Sequence, residues 1–333
     1  MNVQAADVSH DGSHRLVDVA ICTFNRSRFL RICLDALLPQ FNDEYSRRVG
    51  VLVIDNNCTD DTARMVSELQ RTYPFIRYLQ EPKQGLSNAR NCGERNSEAQ
   101  YICYLDDDGK PGEAYLETLV RILSEENPDF AGGPILPYYL SERPAWFKDE
   151  FEIRRHAPGT GFFDCPISGG NFVVRLSLLR ELGGFAPHLG MVGNKVRLGE
   201  ERELIERYRR RCSEAERRIY YAQSLFIYHY VPPVKMTMRY MLGRAYQSGK
   251  MSVVVKRESV RSLPWILTKL FRETVSLIKL YRARAPVDLR VNKLRGAALL
   301  IGKLVGLVRQ ACFLPAKMVR SSFKWRSFSN HGS

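Results

Sequence analysis

The sequence predicts an α/β fold in which a mixed, mainly parallel sheet is flanked by helices and followed by a C-terminal helical extension. Two patterns predict it. Over the first half, short apolar runs alternate with segments of helical periodicity, which is typical of strands joined by crossover helices. Beyond Pro233, Lys, Arg and Leu recur at helical spacing. We place the boundary near residue 250, with a main domain at 1–250 and a basic helical region at 251–333.

The apolar runs and the amphipathic segments set the order of the elements. Strands are predicted at 17–23, 51–55, 76–80, 101–105 and 130–135. Helices are predicted between them, at about 27–38, 60–73, 86–97 and 112–126. Asp60 and Pro111 stand where two of these helices begin, positions that suit a capping acid and a proline. Residues 137–230 are irregular, with one clear helix at 199–212.

The charge is divided unevenly along the chain. Residues 1–230 carry 29 basic and 33 acidic residues, whereas residues 231–333 carry 21 basic and three acidic ones. The net charge of +14 therefore arises in the last third. The eight cysteines are scattered, which favours a reduced chain. We find neither a signal-peptide core nor a run near the roughly 18 apolar residues of a spanning helix, so we expect a cytoplasmic protein.

Three consecutive carboxylates follow the fourth predicted strand. The segment Tyr101–Asp108 reads YICYLDDD. Adjacent like charges are costly unless a cation neutralises them, and oxygen ligands favour Mg²⁺ or Mn²⁺ over zinc. Strand alternation predicts that Asp106 and Asp108 share a face while Asp107 points away. The alternative, a solvated acidic turn, is equally compatible with this run alone.

A further carboxylate, Asp55, ends the apolar segment VLVIDNN at the same predicted sheet edge. Open α/β sheets bind ligands where their strands end. An isolated buried charge needs a partner, and a nucleotide base or ribose hydroxyl would supply one. A structural turn cap is the alternative, and it explains Asn57 and Asp60 better than it explains Asp55.

A series of segments in order resembles the family 2 inverting glycosyltransferases, which belong to the nucleotide-diphospho-sugar transferase superfamily and have the GT-A fold. The series covers roughly residues 17–250, and its segments are VDVAICTFNR, VLVIDNNCTDDT, GLSNARNCG, YLDDDGKP, AGGPILP, ISGGNFVVRLSLLRELGGF and GEERELIERY. Residues 1–250 would then form the catalytic domain. The sequence departs from the family where Asn-Asn-Cys replaces the commoner Asp-Gly-Ser and where Gly109 replaces an acid or Ala.

The resemblance implies roles for residues on the donor side. Thr23, Asn25 and Asp55 match nucleotide-binding positions, with Asp55 on the base. Arg90 matches an arginine near the diphosphate, and a helix salt bridge is its alternative role. Asp106 matches the residue near the ribose, and we group Asp107 with these donor-binding residues. Asp108 matches the metal ligand of the Asp-x-Asp motif. His229 resembles a histidine near the metal in some relatives, with a packed strand histidine as the alternative.

The predicted helix at 199–212 carries the candidate catalytic base. Glu203 and Glu206 have arginines four residues on, the usual surface pairing, whereas Glu201 aligns with the apolar residues of the helix. A carboxylate there suits general-base catalysis, and the resemblance points to the same residue, with Glu200 as the weaker candidate. Residues expected on the acceptor side are Trp146, Gly169, Gly170 and Asn171. Small residues there would let a sugar approach the backbone, and Trp146 is alternatively a core residue.

The C-terminal region has apolar residues at helical spacing with Lys269, Arg272 and Lys279 between them. Basic amphipathic helices suit an anionic membrane surface, such as the inner face of the cell membrane. A homodimer interface or a helical cap on the main domain is the alternative. A partner nucleic acid is not expected, because it would leave the buried-strand carboxylates unexplained.

The resemblance implies a metal-dependent inverting transfer of one sugar from a nucleotide-diphosphate sugar to an acceptor hydroxyl. UDP is the expected nucleotide, Mn²⁺ or Mg²⁺ the expected cofactor, and a carbohydrate or lipid-linked glycan in bacterial cell-surface polysaccharide or glycolipid assembly the expected acceptor. The alternatives are a non-catalytic sugar- or nucleotide-binding protein of the same fold and a membrane-surface-bound scaffold. A processive synthase is disfavoured because the sequence lacks a Gln-x-x-Arg-Trp motif.

Overall fold

The computed structural model describes residues 15–192, 199–256 and 258–322, with side chains given outside 255–256 and 312–322. The chain divides into two compact units. The first contains the chain up to Ile135 together with Arg155–Gly184 and Glu216–Tyr228. The second contains Leu136–Arg154, Phe185–Ala215 and the chain from His229 onward.

The first unit is built on an eight-stranded, mostly parallel sheet of order β3-β2-β1-β4-β9-β6-β10-β8. Its strands are β1 (Val17–Thr23), β2 (Val49–Asp55), β3 (Ile76–Gln80), β4 (Tyr101–Asp106), β6 (Phe130–Gly132), β8 (Gly161–Phe162), β9 (Asn171–Arg175) and β10 (Ile219–Tyr221). Strands β1 to β4 pair in parallel, and β9 pairs antiparallel with both β4 and β6. The predicted mixed, mainly parallel sheet is therefore confirmed.

Three short strands lie outside this sheet, β5 (Gly109–Pro111), β7 (Ile135–Tyr138) and β11 (Ile227–Tyr230). The single strand predicted at 130–135 is wrong in extent, because β6 ends at Gly132 and β7 begins at Ile135. The chain passes from one unit to the other within β7 and within β11.

Helices connect the strands of the first unit. They are α1 (Ser27–Leu37), α2 (Asp43–Arg48), α3 (Thr62–Thr72), α4 (Leu86–Asn96), α5 (Tyr115–Glu125) and α6 (Leu176–Glu181). The buried residues of α1 are Leu30, Cys33, Leu34 and Leu37, the spacing of one helix face. They pack with Val17, Val19 and Ile21, which share one face of β1. The short helix α2 was not predicted, and Asn42 caps it by accepting a hydrogen bond from the Tyr45 amide at 2.8 Å.

The second unit contains four further helices, α7 (Glu200–Arg209), α8 (Met238–Lys256), α9 (Leu263–Arg282) and α10 (Val287–Ser322). The predicted boundary near residue 250 falls within α8. A small apolar core of Val253, Ile266, Leu300 and Leu307 joins α8, α9 and α10. None of the helices in the described part of the chain is long and apolar enough to cross a membrane.

Candidate active site

Three strands of the first unit deliver polar residues to one edge of the sheet. In the register of the sheet, Thr23 lies opposite Asp55 and Cys22 lies opposite Asp106. The carboxyl ends of β1, β2 and β4 are therefore neighbours, as the strand order predicts. This edge is where an open α/β sheet binds its ligands.

The acidic turn after β4 is enclosed by protein. Asp107 and Asp108 are 5% and 3% exposed, whereas Asp106 is partly exposed. Thr23 donates to Asp107 Oδ2 through its hydroxyl at 2.9 Å. This burial excludes the solvated-turn alternative, because a solvated turn would leave these carboxylates in water. Asp106 and Asp108 offer ligand atoms within 4.8 Å of each other, in agreement with the expected alternation, and Asp107 is buried against Thr23 and Arg26.

Arg26 bridges the two buried carboxylates. One guanidinium nitrogen donates to Asp107 Oδ1 at 2.8 Å, and the other donates to Asp108 Oδ2 at 2.6 Å. Such charge-assisted hydrogen bonds are about twice as strong as neutral ones. Although burial disfavours its charge, Asp107 and Asp108 raise the pKa of Arg26 above its ordinary value. The negative charge of Asp107 and Asp108 is therefore paired in part with the positive charge of Arg26.

The pKa of Asp107 lies close to neutral pH. Burial raises the pKa of Asp107 to about 7, and the adjacent Asp108 also raises it, while Arg26 and Thr23 oppose the shift. The Arg26 contact is therefore insufficient to compensate for removal of this carboxylate from water. Concentrated, partly uncompensated negative charge of this kind is suited to binding a cation.

Asp106, Asp108 and His229 form a candidate metal-binding group. The Asp106 and Asp108 carboxylates each offer an oxygen, and these two oxygens lie within 4.8 Å of each other. His229 lies on β11 and is 7% exposed, so its imidazole is removed from bulk water. Two carboxylates and one imidazole suit Mn²⁺ or Mg²⁺ by their oxygens, and the nitrogen donor is also compatible with the transition metals.

Asp55 is buried but not isolated. Its carboxylate accepts a short hydrogen bond from the Tyr78 hydroxyl and one from the Cys58 amide at 2.6 Å. Burial, together with the contact to Asp55, raises the pKa of the Tyr78 hydroxyl above its ordinary value. Tyr78 on the neighbouring strand β3 and the turn after β2 already supply partners for this buried carboxylate. The structural-cap alternative is thus part of what Asp55 does.

Neighbouring loops are tied together around Asp55. Asn25 has a positive φ of 52°, and its side chain accepts a hydrogen bond from the Thr59 amide at 2.6 Å. Asn56 donates to the carbonyl oxygens of Glu81 and Lys83 and accepts from the Gly85 amide at 2.7 Å. The loops after β1, β2 and β3 consequently form one connected rim.

Arg90 lies inside the first unit, only 3% exposed. Its guanidinium donates to the Gly169 carbonyl at 3.0 Å and lies 3.8 Å from Asp106 Oδ1. Arg90 is therefore a buried residue of α4 that contacts the acidic turn. A buried arginine beside the acidic turn joins the β9 loop to the carboxylates.

Gly169 and Gly170 are small because Arg90 and Asp106 need the space. A Cβ at Gly169 would lie 2.8 Å from an Arg90 nitrogen, and a Cβ at Gly170 would clash with Asp106 Oδ2. Asn171 is fully buried, accepting from the Tyr115 hydroxyl at 2.7 Å and donating to the Leu225 carbonyl at 2.6 Å. These contacts account for the three residues without an acceptor sugar.

Comparison with known proteins agrees with this geometry. The glycosyl transferase family 2 profile matches residues 18–183, which contain the sheet edge and the acidic turn. Glycosyltransferase GlyA of Streptococcus pneumoniae is 25% identical over 170 residues, which are 51% of this chain and 23% of GlyA. The chain belongs to glycosyl transferase family 2.

Two other relatives extend the match within family 2. The succinoglycan biosynthesis protein ExoM of Rhizobium meliloti is 27% identical over 133 residues, 40% of this chain and 42% of ExoM. The glucosyl-dolichyl phosphate glucuronosyltransferase of Haloferax volcanii is 22% identical over 242 residues, 70% of this chain and 75% of that protein. The chain thus spans less than half the length of two of these three relatives.

The fold of this family 2 chain is GT-A. The mannosyltransferase PcManGT from Pyrobaculum calidifontis, solved in complex with GDP-Man and Mn²⁺, superposes with a TM-score of 0.61. The two sequences are 17% identical, and the alignment covers 92% of this chain and 90% of that one. Similarity at this identity establishes the fold.

The second unit carries the remaining predicted residues of the family 2 site. Glu200 is 5% exposed, and Glu201 is only partly buried. Glu201 precedes buried Ile205 by four residues and Glu200 precedes buried Leu204 by four, so both acids border the apolar face of α7 and Glu200 is the more buried of the two. Trp146 is half-buried against Phe147 and Phe151, the packing expected of a residue at a core boundary.

The sequence interpretation missed Arg26 and Tyr78. Arg26 immediately follows Asn25, so a basic residue in the loop after β1 was an available signal for a partner of the acidic turn. Tyr78 lies opposite Val53 on β2, two residues from Asp55. Its contact depends on the pairing of β2 with β3, which a single sequence does not give.

Proposed function

We propose that this chain is a metal-dependent inverting glycosyltransferase that moves one sugar from a nucleotide-diphosphate sugar, with UDP as the nucleotide, to an acceptor hydroxyl. The observation that carries the proposal is the pair of buried carboxylates, Asp107 and Asp108, at the sheet edge beside Asp55. Family 2 membership supports it, as does a GT-A neighbour bound to GDP-Man and Mn²⁺.

Asp108, Asp106 and His229 would hold the divalent cation, Mn²⁺ or Mg²⁺. Their donor set fits such an ion, and burial, together with the adjacent Asp108 carboxylate, raises the pKa of Asp107 beside it. A bound cation would supply positive charge that offsets the charge developing on the departing nucleotide diphosphate. The buried carboxylates of Asp107 and Asp108 would contribute negative charge to this site.

The rim of loops would bind the rest of the donor. Asp55 would contact the base, with Tyr78 holding its carboxylate in place. Thr23 and Asn25 would contact the nucleotide, and Asp106 the ribose. Arg90 would contact the diphosphate, which is supported by the position of its guanidinium beside Asp106, and Asp107 would complete this donor-binding set.

The acceptor side and the base belong to the same proposal. Glu201 would accept the proton of the attacking hydroxyl as general base. Glu200 is the second candidate, and it is the more deeply buried of the two. Attack opposite the leaving group inverts the anomeric centre. The acceptor would be bordered by Gly169, Gly170, Asn171 and Trp146. The two glycines and Asn171 would shape the loop, and Trp146 would contribute its partly exposed ring.

The acceptor that we propose is a carbohydrate or lipid-linked glycan of bacterial cell-surface polysaccharide or glycolipid assembly, used at the inner face of the cell membrane. The names of several relatives support this class, including a glucosyl-dolichyl phosphate glucuronosyltransferase and a GalNAc(5)-diNAcBac-PP-undecaprenol beta-1,3-glucosyltransferase of Campylobacter jejuni.

The C-terminal helices would provide membrane contact. Helix α9 exposes large apolar side chains, with Leu267, Phe271 and Ile278 at 50%, 70% and 49% exposure. Lys269 and Arg272 lie beside Trp265 on a different face of α9, and Lys269 is 4.9 Å from the Trp265 ring. A helix that exposes an apolar stripe and also carries basic residues suits an anionic bilayer surface. Homodimerisation through this stripe is the competing outcome.

Replacement of Asp108 by Asn tests the enzymatic proposal. We expect metal-dependent hydrolysis and transfer of nucleotide sugars to fall by roughly 100-fold or more, since the neutral amide loses the charge that binds the cation. A panel of nucleotide sugars assayed with Mn²⁺ and Mg²⁺ first identifies the donor.

Asp35→Asn is the matched control, because Asp35 is an exposed acid paired with Arg31 on α1. Full transfer activity in the Asp108 variant would refute the metal assignment. Nucleotide-sugar binding without any hydrolysis or transfer by the unaltered chain would favour the non-catalytic alternative.

A further inference from the structure

Arg26 holds a position that the donor-binding roles above leave unexplained. Its forked guanidinium spans Asp107 and Asp108, and the side chain is 39% exposed while those carboxylates are 6% and 3% exposed. The Arg26 guanidinium is therefore accessible to solvent, whereas the two carboxylates that it contacts are not. Arg26 covers them from the solvent side.

The backbone around Arg26 is fixed, so the contact depends on the side chain alone. The Arg26 carbonyl accepts hydrogen bonds from the Phe29 and Leu30 amides at the start of α1. The residues on either side are anchored to the loop after β2, Asn25 through Thr59 and Ser27 through Asp60. Rotation of the long side chain can consequently release the carboxylates without movement of the loop.

The Asp108 carboxylate takes part in both the Arg26 contact and the candidate metal group. It accepts the Arg26 hydrogen bond at 2.6 Å, and the Asp108 carboxylate also belongs to the candidate metal group. A guanidinium and a divalent ion on one carboxylate repel each other, and this repulsion is weakly screened where water is excluded. Binding of one cation therefore opposes binding of the other.

We propose that Arg26 is a positioning residue that competes with the divalent cation for the Asp107–Asp108 pair. Metal binding displaces its guanidinium from Asp108, and in return Arg26 keeps the affinity of the carboxylates for free metal low. This inference rests on the proposed metal site and adds to it a residue that sets the metal affinity. A displaced guanidinium stays next to the site, where its fork geometry suits phosphate oxygens.

The environment of Arg26 permits this exchange. Its guanidinium lies 5.1 Å from the Phe29 ring centroid, so an aromatic surface is available beside the carboxylates. Asp107 keeps the Thr23 hydroxyl as a second donor when the guanidinium leaves. Neither Arg26 nor Asp107 therefore loses all of its partners on displacement.

The test is Mn²⁺ binding to the full chain without nucleotide, followed by the electron paramagnetic resonance signal of free Mn²⁺. We expect Arg26→Gln to bind Mn²⁺ roughly tenfold more tightly than the unaltered chain, because a charge-assisted hydrogen bond no longer has to be displaced. Arg26→Lys should fall in between, since an ammonium keeps the charge but cannot span both carboxylates.

Arg31→Gln is the matched control, because Arg31 pairs with exposed Asp35 one turn along the same helix. Its Mn²⁺ affinity should equal that of the unaltered chain, and thermal unfolding should show that all variants are folded. Equal or weaker Mn²⁺ binding by both Arg26 variants, with binding still lost in Asp108→Asn, would overturn the role of Arg26 alone. Absence of Mn²⁺ binding in every variant would overturn the metal site and this inference together.

Discussion

At the residue scale, burial determines which carboxylates can carry chemistry. Asp35 and Asp61 are ordinary exposed partners of arginines on their own helices, and pairs of this kind contribute little to stability. Asp107 and Asp108 are instead enclosed and share one guanidinium. A carboxylate with its pKa raised to about 7 has given up solvation that a bound cation would replace.

Gly170 supports Asp106 by leaving room for it, which gives a prediction at this scale. In Gly170→Ala, the new methyl group would clash with Asp106 Oδ2, a side-chain atom that can move aside. We expect little change in thermal stability but a roughly tenfold loss of metal-dependent transfer, since a small displacement of a binding group costs far more in activity than in folding. Steady-state assays at saturating metal measure it.

Gly159→Ala serves as the control, because a Cβ at Gly159 meets no atom within 4 Å. It should leave both activity and thermal stability unchanged. Unaltered transfer in the Gly170 variant would show that the position of Asp106 is unimportant.

At the element scale, α8 and α10 pack closely because glycines remove side chains at their crossing. A Cβ at Gly302 would clash with the Tyr246 carbonyl, and one at Gly249 would clash with the Leu299 carbonyl. Backbone atoms cannot move aside as side chains do. The pair of helices depends on these two positions rather than on hydrophobic area alone, since its apolar core is small.

Gly302→Ala should therefore destabilise the second unit by about 1–3 kcal/mol, the usual cost of overpacking. Gly243→Ala on α8 is the matched control, because its Cβ would meet open space. Alanine is the better helix former, so this control should be neutral or stabilising by up to about 1 kcal/mol. Chemical denaturation followed by circular dichroism measures both, and equal effects would argue against close packing at Gly302.

At the scale of the whole molecule, the positive charge and the exposed apolar side chains occur together in the second unit. Residues 231–333 carry 21 basic and three acidic residues, and the exposed side chains of Leu267, Phe271 and Ile278 lie on α9 in this segment. A positively charged surface attracts anionic lipid, and the exposed apolar side chains of α9 could in addition be buried in the bilayer interface.

Sedimentation of the full chain with vesicles containing phosphatidylserine tests this surface. We expect Phe271→Glu to reduce the bound fraction several-fold, because it places a negative charge where apolar contact with an anionic bilayer is proposed. Leu140→Glu is the control, since Leu140 is similarly exposed, at 50%, but lies outside α9. Equal binding by the two variants would end the membrane proposal, and a change in oligomeric state on Phe271→Glu would favour a dimer interface.

Strand and helix positions near the site followed from the sequence because local periodicity reports burial directly. Strands β1 and β3 and helices α1 and α4 lie within a residue of their predicted bounds. Residues at the ends of β1, β2 and β4 meet at one edge because parallel strands joined by crossover helices must bring their carboxyl ends together. The periodicity of the chain is therefore sufficient to place the acidic turn and Asp55 at the same edge.

Only the tertiary structure decided which partners these residues have. Tyr78 donates to Asp55, Arg26 bridges Asp107 and Asp108, and Glu200 rather than Glu201 is the buried carboxylate of α7. The contacts of Tyr78 and Arg26 join positions that are far apart in the sequence. Which glutamate of α7 is buried depends on how that helix is rotated about its axis, since adjacent residues differ by about 100°. The sequence by itself determined the family, the fold class and the sheet edge at which the candidate site lies. Periodicity encodes the burial of each element, whereas long-range pairing of polar side chains arises only from how the elements pack.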